Sequence, residues 1–241
     1  MARNFLENVD LPNWFNVLKY VPSIFVNVLC HIDKELTKSL ATLSYNKPRR
    51  VCYTYLIFNY DKFLSLVKRR CGVSVSENEM YYIQFLIFKT CVEYAGKATN
   101  ARSDEHFIDA KKVNLGLLSS DAVGDHIAVI NECWKKGVGV MCIQFETNAT
   151  SFEAHCREAA VISCLGIGNL KNKISGSVYG EMKLWSDLKL KNFGELTLYA
   201  VFKKFVIKRP PVIRSSDMPL RAGSKRCARI VMCEFCGNTL E

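Results

Sequence analysis

The segment VEYAGKATNARSDEH, residues 92–106, predicts a strand that leads directly into a helix. The run TCVEYAG, which ends at Gly96, has the β-branched and aromatic composition of a strand. Gly96 has no Cβ, so the backbone is expected to turn closely there. Helical spacing then extends from about Ala101 to Lys112. The segment therefore predicts a strand-to-helix junction with a close backbone turn.

Four side chains at this junction have the chemistry to bind a phosphate group. Arg102 and His106 are four residues apart and share a helix face, while Lys97 lies in the predicted turn and Tyr94 ends the strand. Arginine presents a planar fork of donors to phosphate oxygens, and histidine can shuttle a proton. The junction therefore predicts a phosphate site, and the alternative for Arg102 or His106 alone is a solvated helix surface.

Strands and helices interleave on both sides of the junction. Aromatic and β-branched residues predict two more strands, RVCYTYLIFNY (50–60) and VGVMCIQFET (138–147). Helices are predicted over residues 61–70, 77–88, 101–112, 120–137 and 152–166. The stretch NFGELTLYAVFKKFVIK (192–208) is compatible with either a helix or a strand. Three strands interleaved with helices predict a small α+β domain.

The domain is expected to have an appendage at each end. Residues 1–48 predict a helical N-terminal segment, residues 49–218 the main domain, and residues 219–241 a flexible basic tail. Cys233 and Cys236 in the tail form a CxxC, which is half of a zinc site. Because no second CxxC is present, a flexible tail is the preferred interpretation over a zinc site.

The composition favours an intracellular protein with an anionic partner. The net charge of +10 favours nucleic acid or a membrane surface, with a merely basic protein as the alternative. No apolar run reaches the length of a membrane span, and the N-terminus does not resemble a secretory signal. We therefore expect a nuclear and/or cytoplasmic location, no membrane partner, and reduced thiols among the 11 cysteines.

A glutamate interrupts the apolar stripe of the predicted helix FEAHCREAAVISCLG (152–166). At about 100° per residue, Glu158 shares its face with the apolar residues of the stripe. A buried carboxylate is costly unless it is compensated, and Arg157 is expected to pair with Glu153 instead. Glu158 is therefore either a ligand of Mg²⁺ or another hard cation, or the partner of a buried lysine or tyrosine hydrogen bond.

Taken in order, the motifs resemble the GIY-YIG nuclease domain. The tyrosines of YTY (53–55) and YAG (94–96) are followed by an arginine, a histidine, a helical glutamate and an asparagine. The segments VEYAGKATNARSDEH, WKKGVGVMCIQF and EAHCREAAVISCLGIGNLKN are similar to the branch of animal ankyrin-repeat and LEM-domain endonucleases. The long insert between the two tyrosine motifs also fits this branch. The resemblance covers roughly residues 51–218.

The resemblance implies a fold, an activity and a cofactor. The fold is α+β, with a small antiparallel three-stranded sheet flanked by helices. The activity is hydrolysis of DNA phosphodiester bonds with Mg²⁺ or Mn²⁺, and Glu158 would bind the metal. Tyr55 and Tyr94 stand at the tyrosines of the two motifs. Either phenol would position the attacking water, with Tyr55 the usual candidate base.

The resemblance also implies roles or matching positions for four other residues. Arg102 would stabilise the charge that develops on the phosphate, and Asn172 would fix the geometry of the active site. Lys97 and His106 occupy matching positions without a definite role.

The leading hypothesis is a metal-dependent DNA endonuclease, with branched or flapped DNA as one substrate class. The first alternative is a nucleic-acid-binding domain that keeps the fold and has lost cutting; the tyrosines, Arg102, Glu158 and Asn172 argue against it. A mobile-element endonuclease would use the same chemistry, and a scaffold protein would leave Glu158 unexplained. The sequence shows no ankyrin repeat and no recognisable LEM pattern, and it does not identify partner proteins.

Overall fold

The computed structural model describes residues 52–70, 77–99 and 102–218. These residues form a three-stranded antiparallel sheet with six α-helices, which confirms the predicted α+β class. The strands are β1 (Cys52–Phe58), β2 (Val92–Thr99) and β3 (Met141–Ala149), in the spatial order β2-β1-β3. The helices are α1 (Tyr60–Arg70), α2 (Glu77–Thr90), α3 (Arg102–Asn114), α4 (Asp125–Lys135), α5 (Ser151–Leu165) and α6 (Asp187–Ile207). The predicted N-terminal segment (1–48) and the tail with its CxxC (219–241) lie outside the described residues.

The central strand β1 is buried along its whole length. It pairs with β2 on one edge and with β3 on the other, and helices cover both faces of the sheet. Tyr55 and Ile57 pack with α3 and α4 on one face, whereas Leu56 and Phe58 pack with α2, α5 and α6 on the other. Because both faces are covered, the β1 sequence is apolar and aromatic except at Thr54 and lacks the alternation of a half-exposed strand.

A capping box starts α5 directly after β3. The Thr150 hydroxyl accepts from the Glu153 backbone N–H at 3.3 Å, and the Glu153 carboxylate accepts from the Thr150 N–H at 2.6 Å. The predicted pair of Arg157 with Glu153 is therefore wrong, because this cap holds the carboxylate. Arg157 is buried and pairs with Glu146 at 3.7 Å, at a bulge of β3 where Glu146 has a φ of 53°.

The ambiguous stretch 192–208 is helical and belongs to α6. Gly194 allows α6 to approach α5 closely, since a Cβ built on Gly194 would lie 2.0 Å from the Ala160 carbonyl oxygen. The central part of α6, between Asn192 and Phe205, is largely buried by α5 and by the aromatic side chains of α2. A helix covered on several sides is apolar around most of its circumference, which explains why its sequence shows no clear helical period.

The described residues also bear on two expectations from composition. The cysteines of the described ranges, including Cys142 and Cys164, form no disulfide bond. None of the helices in the described ranges has both the length and the apolar character needed to cross a membrane.

Candidate active site

Strand register places both motif tyrosines on the same face of the sheet. Tyr55 pairs with Gly96, and Ile57 pairs with Tyr94, so the two phenol rings are neighbours with centroids 6.0 Å apart. β2 continues past Gly96 to Thr99, so the predicted close turn at Gly96 is wrong. Gly96 instead leaves room for the side chains of the two tyrosines. A Cβ at this position would lie 2.6 Å from Tyr55 Oη and 2.8 Å from Tyr94 Cε1.

Helix α3 brings His106 onto the Tyr55 hydroxyl. His106 Nε2 lies 2.5 Å from Tyr55 Oη, and its ring meets the edge of Tyr94 with centroids 5.8 Å apart. Arg102 is the first residue of α3, one helical turn before His106. Tyr55, Tyr94 and His106 are therefore in mutual contact. The Arg102 backbone lies close by, at the N-terminus of α3.

Burial controls the charge state of Tyr55. The pKa of its phenol is raised far above the ordinary value, chiefly by burial and then by Tyr94, Cys142 and the Glu158 carboxylate. Tyr55 therefore keeps its proton at neutral pH. The phenol can act as a base only if a neighbouring group takes that proton, and His106 Nε2 is in position to do so.

The sequence interpretation missed His126. This residue lies near the start of α4; its Nε2 is 3.0 Å from His106 Nδ1, and its ring stacks on Tyr94 with centroids 4.4 Å apart. The sequence did contain a signal, because the chain has only four histidines and this one directly precedes the apolar stripe that begins at Ile127. Its distance of 20 residues from His106 concealed the contact.

Glu158 lies on the inner side of α5 with its carboxylate still accessible. Its side chain is 15% exposed, and its Oε2 lies 3.5 Å from His155 Nδ1. Among the residues that the structure describes, His155 is the partner of this carboxylate, and no lysine or tyrosine side chain is hydrogen-bonded to it. Oxygen atoms that protein donors leave unused are suitable ligands for a hard cation.

The carboxylate of Glu158 would have to bind a metal with few other protein ligands. The described ranges contain no cluster of three or more histidine, cysteine or acidic side chains arranged around a common point. Mg²⁺ retains several waters and is commonly bound through one or two carboxylates plus substrate phosphates. A single accessible glutamate therefore fits Mg²⁺, and Mn²⁺ accepts the same oxygen donors.

Asn172 fixes the outer edge of β2. Its Oδ1 accepts from the Ala95 N–H at 3.1 Å, and its Nδ2 donates to the Ala95 carbonyl at 2.7 Å. The Lys171 N–H also donates to the Glu93 carbonyl at 2.8 Å. The loop after α5 thus satisfies the free edge of β2 next to Tyr94 and Gly96.

Lys97 lies on the opposite face of β2 from Tyr94. It pairs with Thr54 one residue beyond Gly96, and side chains alternate between the faces along a strand. This face carries Ala95, which packs in the cluster that includes Val161 and Ile162 of α5. Lys97 is therefore on the α5 side of the sheet with Glu158, and not beside Tyr94 and His106 as the predicted junction suggested.

The comparisons with known proteins identify the class. The model of the LEM-3-like GIY-YIG domain matches residues 52–220, which is more than half of the chain. The chain belongs to this family and therefore carries a nuclease domain of the phosphodiester hydrolase class. This match confirms the resemblance that the motifs indicated.

The chain is also similar to particular curated proteins. It is 26% identical over 164 residues to the ankyrin repeat and LEM domain-containing protein 1 homolog of Caenorhabditis elegans, covering 67% of this chain and 23% of that protein. It is 25% identical over 174 residues to ankyrin repeat and LEM domain-containing protein 1 of Homo sapiens, covering 70% and 27%. The Mus musculus protein of the same name is 23% identical over 169 residues, covering 70% and 30%. The matched region thus spans less than a third of each relative. No solved structure matches the chain at a significant level.

Proposed function

We propose that the chain is a metal-dependent endonuclease that hydrolyses DNA phosphodiester bonds, with branched or flapped DNA as the substrate class. The observation that carries the proposal is the contact between Tyr55 Oη and His106 Nε2 at 2.5 Å, together with the Glu158 carboxylate, whose charge acts on the Tyr55 phenol. A phenol that is hydrogen-bonded to a base can activate a water. A carboxylate can hold the cation that binds the phosphate.

The proton path starts at the attacking water. Tyr55 takes a proton from this water while its own hydroxyl proton moves to His106 Nε2. Burial raises the pKa of Tyr55 strongly, so a free phenolate is costly and the two transfers are coupled. His106 thus becomes an imidazolium as the water oxygen attacks phosphorus, and the bond to the leaving oxygen of the DNA strand breaks.

Glu158 would hold the divalent metal ion on which nucleases of the GIY-YIG family generally depend. When bound, the ion supplies charge neutralisation and polarises a phosphate oxygen. Lys97, on the same side of the sheet, would contact the phosphate there. Arg102, at the start of α3, would stabilise the charge that develops in the transition state.

Two lysines extend the site along the DNA. Lys171 and Lys173 are exposed and flank Asn172 in the loop that pairs with β2. Because Asn172 holds this loop on the backbone of Ala95, the backbone that carries the two lysines lies against β2 close to Tyr94. They would bind phosphates next to the one that is cut, without reading the bases.

The direct test uses the full chain with labelled linear, flapped and four-way DNAs, in Mg²⁺, Mn²⁺ or EDTA. We expect metal-dependent cleavage, fastest on the branched substrates. Tyr55→Phe should bind DNA normally and cut roughly 100-fold more slowly or worse, because it loses the proton relay. Tyr60→Phe is the matched control: it removes a phenol hydroxyl that contacts Arg209 on the surface, and it should cut like the parent.

Two outcomes would contradict the proposal. The first is cleavage by Tyr55→Phe at the parental rate. The second is tight DNA binding without cleavage of any substrate in either metal, which would favour the alternative of a non-catalytic nucleic-acid-binding domain.

A further inference from the structure

His126 contacts both of the rings that surround the Tyr55 hydroxyl. Its Nε2 is 3.0 Å from His106 Nδ1, and the two imidazoles meet edge to face with centroids 4.4 Å apart. The same His126 ring stacks on Tyr94 at an interplanar angle of 29°. Tyr55, His106 and His126 therefore form a continuous hydrogen-bonded chain that leads from the site into the α3–α4 layer.

Two proton arrangements satisfy this chain. In the first, Tyr55 donates to His106 Nε2, and the Nδ1–H of His106 donates to His126 Nε2. In the second, His126 donates to His106 Nδ1, and the Nε2–H of His106 points at the Tyr55 oxygen. Only the first arrangement leaves His106 able to receive the Tyr55 proton.

We propose that His126 is a positioning residue of the nuclease, which accepts the Nδ1–H of His106 and so keeps His106 Nε2 available for the Tyr55 proton. The inference rests on the proposed function. The role resembles that of any acceptor behind a catalytic imidazole: it selects the tautomer, and it stabilises the imidazolium after the proton has moved.

The surroundings of His126 support an acceptor that remains neutral. Burial lowers the pKa of His126 from its ordinary value of 6.5, and Lys173 of the loop after α5 acts in the same direction. Asp125 on the same helix and Asp109 on α3 oppose this shift. The remaining titratable groups that face it are His106 and Tyr94. A neutral imidazole can accept at Nε2, whereas an imidazolium cannot.

Two substitutions test the acceptor nitrogen and the aromatic ring of His126 separately. His126→Phe keeps an aromatic ring to stack on Tyr94 and removes the acceptor nitrogen. His126→Gln loses the ring but can place a carbonyl oxygen close to the position of Nε2. Glu132→Gln, on an exposed position of the same helix, is the control for a change in α4 that does not reach the site.

Single-turnover cleavage is measured from about pH 5 to about pH 9. We expect His126→Phe to cut roughly 10- to 100-fold more slowly at unchanged DNA affinity, by analogy with the hydrogen-bond partners that orient metal-bound imidazoles. The acid limb of its pH–rate profile should move to lower pH, because the His106 imidazolium loses its acceptor. His126→Gln should recover most of the rate and the parental profile, and Glu132→Gln should match the parent.

Nitrogen NMR of labelled histidines provides a readout that is independent of cleavage. At neutral pH, the parent should show His106 as the Nδ1–H tautomer and His126 as a neutral ring. The population of the Nε2–H tautomer of His106 should rise in His126→Phe. A parent that cuts DNA, together with a His126→Phe variant of parental rate, profile and tautomer, would overturn this inference alone. A parent that cuts no DNA would overturn the proposed function and this inference with it.

Discussion

Gly96 is the residue that makes room for the Tyr55 phenol. The added Cβ of Gly96→Ala would lie 2.6 Å from Tyr55 Oη and 2.7 Å from Tyr55 Cζ, and both atoms belong to a side chain that is buried. The ring must move away from His106, so we expect cleavage to fall at least about tenfold and stability to fall by about 1–3 kcal/mol. Single-turnover rates and urea denaturation measure the two effects.

Gly168→Ala is the matched control for this substitution. No atom lies within 4 Å of a Cβ built on Gly168, so the variant should match the parent in both measurements. Equal rates for Gly96→Ala and the parent would mean that the Tyr55 position is not set by the strand contact.

The protonation of His126 makes stability depend on pH. Because the pKa of His126 is lowered in the folded state, mainly by burial, the unfolded chain takes up this proton more readily. The stabilisation is complete above the ordinary value of 6.5 and is lost as the pH falls toward the folded pKa. The melting temperature of the parent should therefore drop more between about pH 7 and about pH 5 than that of His126→Phe. Equal drops would contradict a neutral, buried His126.

At the residue scale, the sequence predicts contacts that are local or that belong to a recognised motif. The predicted set Tyr55, Tyr94 and His106 comes together because strand register and one helical turn place these residues. The Arg157–Glu146 pair could not be predicted, since it requires a bulge in β3 and a left-handed backbone at Glu146. His126 was missed for a similar reason: its contact depends on how α4 packs against α3.

At the scale of elements, the edge of β2 depends on one amide side chain. Asn172→Asp keeps the size of the side chain but replaces the Nδ2 donor with an oxygen that faces the Ala95 carbonyl. We expect a loss of stability of about 1–3 kcal/mol and faster hydrogen exchange of the β2 amides. Cleavage should also fall, because the β2 edge carries Tyr94 and Gly96.

Asn169→Asp is the control for this loop. Asn169 Nδ2 donates to the Leu165 carbonyl at 2.8 Å, but the residue is exposed, so water can replace the lost bond. A destabilisation of similar size in both variants would contradict a specific role for the Asn172 contacts at β2.

The elements themselves were largely predictable, and the exceptions have physical causes. The β1 strand and the helix after β3 follow from composition, spacing and a Thr150–Glu153 cap that the sequence allows. The period of residues 192–208 was ambiguous because α6 is covered on several sides. The sequence does not predict the extension of β2 to Thr99, because a glycine inside a strand has the same local signal as a turn.

At the scale of the whole molecule, the net charge of +10 predicts a strong dependence of DNA affinity on salt. Each phosphate contact contributes a slope of about −0.9 in log K against log salt. Replacing Lys171 and Lys173 together by glutamine should reduce the slope by roughly one unit per lost contact. Dissociation constants are measured in Ca²⁺ across a salt series.

Lys203→Gln with Lys208→Gln, on α6 and at its C-terminal cap, is the charge-matched control for this pair. It should leave the slope nearly unchanged. A flat salt dependence of the parent, or equal slopes for the two double variants, would contradict DNA binding through the loop after α5.

The Glu158→Gln variant tests the central claim most directly. This substitution keeps the shape of the side chain and removes the charge that would bind the metal. The measurement is the single-turnover cleavage rate at saturating Mg²⁺, with melting temperature and DNA affinity measured on the same samples. We predict normal folding, equal or tighter DNA binding because an anion near phosphate is removed, and cleavage slower by orders of magnitude. Cleavage by Glu158→Gln at a rate close to that of the parent would contradict the account.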